Sequence, residues 1–137
     1  MTIEWTAPGD DLDAGTATSY EIKYSPNFDD MMNDKFPSNS AAQFEPQDVV
    51  DGSLLPLVAG SKQTVSLLMP QESKNTTYFI ALRAIDKTNL AGDSSNIVSV
   101  QLSVVNKGSH LHQPFMQDVT VFVYLMLVFT SWAASKY

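Results

Sequence analysis

Thr76-Thr77-Tyr78-Phe79-Ile80-Ala81-Leu82-Arg83-Ala84-Ile85-Asp86 is the stretch that decides the fold. From Thr77 to Ile85 it alternates with period two. Tyr78, Ile80, Leu82 and Ala84 share one face, and Phe79, Ala81, Arg83 and Ile85 share the other. Both faces are largely apolar, so this is a central strand covered on both sides. Four further runs of the same kind lie around it. Thr2 to Thr6 places Ile3 and Trp5 on one face and stops at Pro8-Gly9. Ser19 to Ser25 turns Tyr20, Ile22 and Tyr24 inward and Glu21 and Lys23 outward. Thr64 to Met69 and Asn96 to Val104 complete the set. β-Branched and aromatic residues dominate all five runs, as a pleated, half-buried surface favours. Strands punctuated by turn residues, with little helix, predict an all-β antiparallel sandwich over residues 1–104. Trp5, Ile22, Tyr78, Ile80 and Leu82 share inward parity and are expected in one core.

The stretch between the second and third runs is less regular. Ser25-Pro26 suits a helix start, and Phe28, Met31, Met32 and Phe36 follow at i, i+3, i+4 and i+8. This spacing predicts a short helix from Pro26 to Lys35, ended by Pro37. Ala41 to Glu45 reads as a short strand. Val49 to Ala59, which contains Gly52 and Pro56, reads as an edge strand or irregular chain.

Composition restricts the function. The chain has 137 residues, which is one domain's worth, and 8 Lys+Arg against 15 Asp+Glu give a net charge of −7. An acidic surface excludes nucleic acid as a partner and argues against electrostatic docking on anionic membranes. With no cysteine, disulfides, thiolate metal sites and cysteine nucleophiles are excluded together. The charge is uneven. Residues 105–137 hold one acid, Asp118, and two bases, Lys107 and Lys136. Residues 105–118 read as a polar linker and 119–137 as a hydrophobic tail. Residues 119–134 carry no charge, are marginally short for a bilayer span, and are expected to contact a membrane rather than join the sandwich. The order Asn106 or Gly108-Ser109, polar spacer, apolar run also approximates a lipid-anchor signal, and an alternative-exon origin for the tail is a third reading.

Several residue patterns coincide with a known domain. Ile3-Glu4-Trp5-Thr6-Ala7-Pro8, Tyr20-Glu21-Ile22-Lys23-Tyr24, Leu68-Met69-Pro70 and Thr76 to Asp86 resemble the second, third, fifth and sixth strands of a fibronectin type III domain. The resemblance makes Tyr78 the tyrosine-corner residue. No strand pattern precedes Thr2, so the sandwich is expected to lack its first strand and the chain to be a fragment of something longer. Trp5 to Ile22, Ile80 to Lys87 and Ser95-Asn96-Ile97 are similar to the C-terminal fibronectin-like domain of the calcium-activated chloride channel regulators. That resemblance covers about residues 2–104. It implies a secreted or membrane-anchored parent, extracellular or at the cell surface. The parent would carry a zinc metalloprotease domain and a von Willebrand factor A domain, and would modulate chloride conductance. Its partners would be the parent's other domains and a surface chloride channel. Neither His-Glu-x-x-His nor Asp-x-Ser-x-Ser occurs in this sequence, so the resemblance gives a non-catalytic module and not an enzyme. The rival reading is an extracellular adhesion or receptor-type fibronectin module unrelated to chloride transport. Such modules usually show cysteine pairs or Trp-Ser-x-Trp-Ser, and neither is present.

Three candidate sites follow from the residues. Asn75-Thr76-Thr77 is an N-glycosylation sequon at the entrance to the central strand. Asp10, Asp11 and Asp13 lie in one loop and Asp86 and Asp93 in another, and a sandwich brings both loops to one end. Five carboxylates there suit calcium, which takes six to eight oxygens, or simply form a solvated acidic rim. No other cofactor is expected. His110-Leu111-His112 lacks a third ligand for zinc, and no nucleophile is placed near either histidine.

Overall fold

The computed structural model describes residues 1–10, 14–32, 34–36, 40–70, 75–102 and 125–127. Two four-stranded sheets pack face to face. The strands are β1 (Thr2–Thr6), β2 (Ser19–Ser25), β3 (Ala42–Gln43), β4 (Val49–Gly52), β5 (Lys62–Leu67), β6 (Thr76–Ile85), β7 (Val98–Leu102) and β8 (Leu125–Leu127). One sheet has the order β4-β5-β1-β8 and the other β3-β2-β6-β7. Among the described residues all strand pairings are antiparallel except β1 with β8. The fold is an all-β, mostly antiparallel sandwich.

Period-two alternation produces the core directly. Ile3 and Trp5 of β1 and Val65 and Leu67 of β5 point inward from the first sheet. Tyr20 and Ile22 of β2 meet them, together with Tyr78, Ile80, Leu82 and Ala84 of β6 and Val100 of β7. Trp5, Ile22, Tyr78, Ile80 and Leu82 all belong to this one cluster, none more than 6% exposed. Trp5 stands edge-on to Tyr20, with ring centroids 5.3 Å apart and planes at 89°. This is the favoured geometry for an aromatic pair, because the positive edge of one ring meets the negative face of the other. Tyr78 makes a similar edge contact with Tyr24.

The longest pairing, β2 with β6, runs for seven residues from Ser19↔Ile85 to Ser25↔Phe79. Its outer face is covered too, by the chain between β2 and β3. The expected helix from Pro26 to Lys35 is absent. In its place is one 3-10 turn, Phe28–Met31, capped by the Asn27 side chain, which accepts from the Asp29 N–H. Met32 leaves it in extended conformation, with ψ at 145°. Asn27, Asp29, Asp30 and Asp34 are poor helix formers, and local polar bonds compete for the backbone: Ser25 Oγ donates to the Asp30 carboxylate and accepts from the Asn27 N–H. The apolar residues therefore separate. Met31 and Phe36 bury fully with Ala41 and Ala81 in a second cluster, while Phe28 and Met32 stay about half exposed.

Lys23 is a second departure. Alternation sends it outward, yet it is buried at 6% exposure because the strap lies over it. Its Nζ donates to the Phe36 carbonyl at 2.7 Å and sits 5.3 Å from the Phe36 ring centroid. The Arg83 guanidinium lies 5.1 Å from the same centroid and bonds Glu21. The long Lys stem packs while its head finds a carbonyl and a ring face, so burial is tolerated.

β4 is a short edge strand, with a register shift between Val49 and Asp51. It ends at Gly52, whose φ is +86° and where a Cβ would lie 2.6 Å from the Thr64 carbonyl oxygen. Only glycine fits that position. The other flank of the first sheet departs from expectation. The residues there come from the tail: Ile3, Glu4 and Trp5 pair in parallel with Leu125, Met126 and Leu127. Part of the tail thus joins the sandwich. The remainder of 119–134, the linker 105–118 and residues 103–104 lie outside the described residues. Among the described residues no helix is long and apolar enough to cross a membrane.

Truncating Trp5 to Ala removes the contact that joins the sheets and leaves a cavity. The expected loss is about 3–5 kcal/mol of unfolding free energy, measured by urea denaturation of the full chain. A change below about 1 kcal/mol, the level of an average substitution, contradicts the placement.

Candidate functional site

The three loops leaving β1, β4 and β6 gather at one end of the sandwich, the first two tied to each other through the backbone and the third through the Asp10 side chain. The Ala7 N–H donates to the Ser61 carbonyl at 2.7 Å, Gly60 N–H to Ala7 at 2.9 Å, and Ala59 N–H to Gly15 at 2.9 Å. Thr16 and Val58 form an isolated bridge. Gln63, buried on β5, donates from Nε2 to the Ser53 and Leu55 carbonyls at 2.9 and 2.8 Å. The β4–β5 loop is therefore held in place while three of its apolar side chains face solvent: Leu55 is 76% exposed, and Leu57 and Val58 are also exposed. Leu90, in the β6–β7 loop, is exposed as well.

Two of the five aspartates come together here. Asp10 Oδ2 pairs with Lys87 Nζ at 2.7 Å, and Oδ1 accepts from the Lys87 N–H at 3.0 Å. Asp86 closes its own turn. Its Oδ1 accepts from the N–H groups of Thr88 at 2.7 Å and Leu90 at 2.8 Å, and the Thr88 hydroxyl donates to both carboxylate oxygens. The turn places Asn89 at φ 62°, a left-handed conformation that asparagine tolerates. Both carboxyls are held below the ordinary carboxylate range. For Asp10 the main cause is the Lys87 ammonium, followed by the Lys87 N–H. For Asp86 it is the Leu90 N–H, then the Thr88 hydroxyl. Asp93 is exposed, and Asp11 and Asp13 lie outside the described residues. Among the described residues no group of three His, Cys, Asp or Glu side chains is placed to hold a metal. Asp10 and Asp86 thus act as loop staples, Asp10 through Lys87 and Asp86 through its own turn.

Asn75 is exposed immediately before β6. His110 and His112 lie outside the described residues. A groove of about 620 Å³ runs along the side of the sandwich, between the β2–β3 edge and the β4–β5 loop. Its wall includes Tyr20, Glu21, Phe44, Val49, Leu54 and Pro56. The alternation pattern gives no sign of this groove, because it forms where the irregular chain from Ser53 to Pro56 leaves the sheet. The wall offers apolar contact, with Glu21 and Glu45 among the residues that form it. Burial pushes the Tyr20 hydroxyl up from its usual range, so it stays protonated there.

No protein-family model and no solved structure matches the chain. Curated proteins do. The chain is 40% identical over 105 residues to calcium-activated chloride channel regulator 1 of Sus scrofa, covering 74% of this chain and 10% of that protein. It is 36% identical over 106 residues to regulator 4 of Homo sapiens and 30% identical over 117 residues to regulator 2 of Mus musculus. Those matches cover 76% of this chain and 11% and 12% of the two proteins. The chain is homologous to one segment of the calcium-activated chloride channel regulators. It spans about a tenth of the length of these regulators.

The lowered carboxyls give a pH dependence of definite sign. A carboxylate whose folded pKa lies below its unfolded value of about 3.9 stabilises the fold above that value. The contribution is lost as pH falls through the folded pKa. Lys87→Ala removes the principal cause at Asp10 and leaves the residue-87 N–H, so the Asp10 carboxyl is expected to titrate higher than in the wild type, while Asp86, held mainly by its own turn, moves less. Carboxyl-detected NMR titration reads both. An unchanged Asp10 midpoint contradicts the staple.

Proposed function

We propose that the chain is a non-catalytic, extracellular β-sandwich module of a calcium-activated chloride channel regulator, and that it contributes to modulation of chloride conductance through protein contacts. The observation that carries this reading is the shared sequence with several regulators over about three quarters of the chain. The proposal extends to strand identity. With β1 read as the second strand of a fibronectin type III-like domain, β2, β5, β6 and β7 take the places of the third, fifth, sixth and seventh. In this reading the module has no enzymatic role and takes no cofactor, and its acids stay engaged with Lys87 and the β6–β7 turn. Its partners are the other domains of the regulator and a chloride channel at the cell surface. Contact is made by fixed loops that present Leu55, Leu57 and Leu90 on an otherwise acidic protein, a surface suited to apolar contact and unsuited to nucleic acid.

The test is electrical. The full chain is applied to cells with a calcium-activated chloride current, recorded in whole-cell mode, and the wild type is expected to change the current amplitude. Leu55→Asp with Leu57→Asp, which alters only exposed side chains, is expected to abolish the effect without loss of folding. A current indifferent to the wild-type chain, with no binding to the cell surface, rejects the proposal.

An extracellular route exposes Asn75 to the glycosylation machinery. Directed through the secretory pathway, the chain is expected to migrate as a heavier species that an N-glycosidase collapses to the mobility of Asn75→Gln. Identical mobility of wild type and variant, with or without the enzyme, contradicts glycosylation at this position.

A further inference from the structure

The outer flank of β1 is a docking edge, and the residues seated on it are Leu125–Leu127 of the tail. The direction of the β1 main chain can be read from its other side. Met1 exchanges bonds with Leu67, its amino group donating to the Leu67 carbonyl at 2.8 Å and the Leu67 N–H to the Met1 carbonyl at 2.7 Å. The Ala7 N–H donates to Ser61. Odd-numbered residues of β1 therefore spend their main-chain groups on β5, and Thr2, Glu4 and Thr6 turn theirs to the opposite flank. With Glu4 in register with Met126, a parallel ladder has the Glu4 N–H donating to the Leu125 carbonyl and the Leu127 N–H donating to the Glu4 carbonyl.

We propose that this flank of β1 is a strand-acceptor site whose occupant is the chain's own tail segment Leu125–Leu127, docked in cis to close the sheet. An open edge beside Ile3 and Trp5 is a template for pairing with other chains. The tail is suited to the place, because Val119 to Ala134 carries no charge and a strand laid on a sheet edge must leave few charges behind. The contact joins residues more than a hundred positions apart, so no local turn holds it. Residues paired with Glu4 are also withheld from a bilayer: edge closure and membrane contact by Leu125–Leu127 exclude each other. This inference stands apart from the proposed role in conductance.

The absence of cysteine makes a direct test clean. Adjacent strands lie about 4.8 Å apart, inside the roughly 4.4–6.8 Å range over which a disulfide bridges Cα atoms. Glu4→Cys combined with Met126→Cys in the full chain is therefore expected to oxidise to an intramolecular disulfide at monomer mass. No disulfide, or one formed only between two chains, overturns the cis assignment. Hydrogen exchange gives a second reading. The Glu4 amide is expected to be protected in the wild type and to exchange about tenfold faster or more, on the scale of local opening, in Leu127→Pro, which removes the donor to Glu4. Ile3 and Trp5, bonded to β5, keep their protection. Met126→Pro is expected to leave Glu4 protected, since the Met126 N–H points away from β1 and proline is tolerated on the solvent side of an edge strand. A Glu4 amide that exchanges freely in the folded wild type overturns the proposal. If Leu127→Pro unfolds the whole sandwich, the disulfide decides.

Discussion

The edge-on contact between Trp5 and Tyr20 is the constraint from which the sandwich is built. The two residues belong to different sheets, so their packing fixes how close the sheets lie and which face of each turns inward. Once Trp5 points in, the parity of β1 is set, and through its register with β5 so is that of Val65 and Leu67. Once Tyr20 points in, the seven-residue register with β6 brings Ile80, Leu82 and Ala84 to the same side. A slip of one residue in either pairing would turn every one of these side chains to the opposite face. Large apolar residues on both inner faces make that slip prohibitively costly, and the loops need only connect strands whose order is already determined.

That dependence explains which features were legible in the sequence. The five long strands and the core could be read because the alternation is strict and the inward residues are large. The strap between β2 and β3 could not. Phe28, Met31, Met32 and Phe36 fall at helical spacing, but the second sheet needs only Met31 and Phe36 over Ala81. A chain rich in Asp and Asn reaches that arrangement by one 3-10 turn and an extended step at Met32. Lys23 misled for a related reason. Alternation gives the direction of a side chain and not what lies beyond it, and beyond Lys23 lies Phe36.

The candidate site divides in the same way. Topology brings the loop holding Asp10 to the loop holding Asp86, and that convergence follows from strand order. Whether two acids form a cation site or a pair of staples depends on a neighbour's direction. Lys87 points its ammonium and its N–H at Asp10, and Asp86 folds back on its own turn. Two of the charges that suggest a ligand in the sequence, Asp10 and Asp86, are engaged in holding the loops still. Held loops are what a contact surface requires, because side chains such as Leu55 and Leu57 then meet a partner with little further ordering entropy to lose.

The sandwich also treats its edges unequally. β3 is two residues long, and β4 is bulged and ends at a glycine that admits no side chain, so both offer little to an incoming strand. β1 has neither protection. It is regular, it carries the central tryptophan, and its even-numbered main-chain groups face outward. Its closure comes from Leu125–Leu127, the described segment farthest away in sequence. A contact so distant has a high closure entropy and no turn to enforce it, and nothing in the local sequence of either strand announces it. The strand that carries the central tryptophan is therefore closed by the least local strand pairing among the described residues.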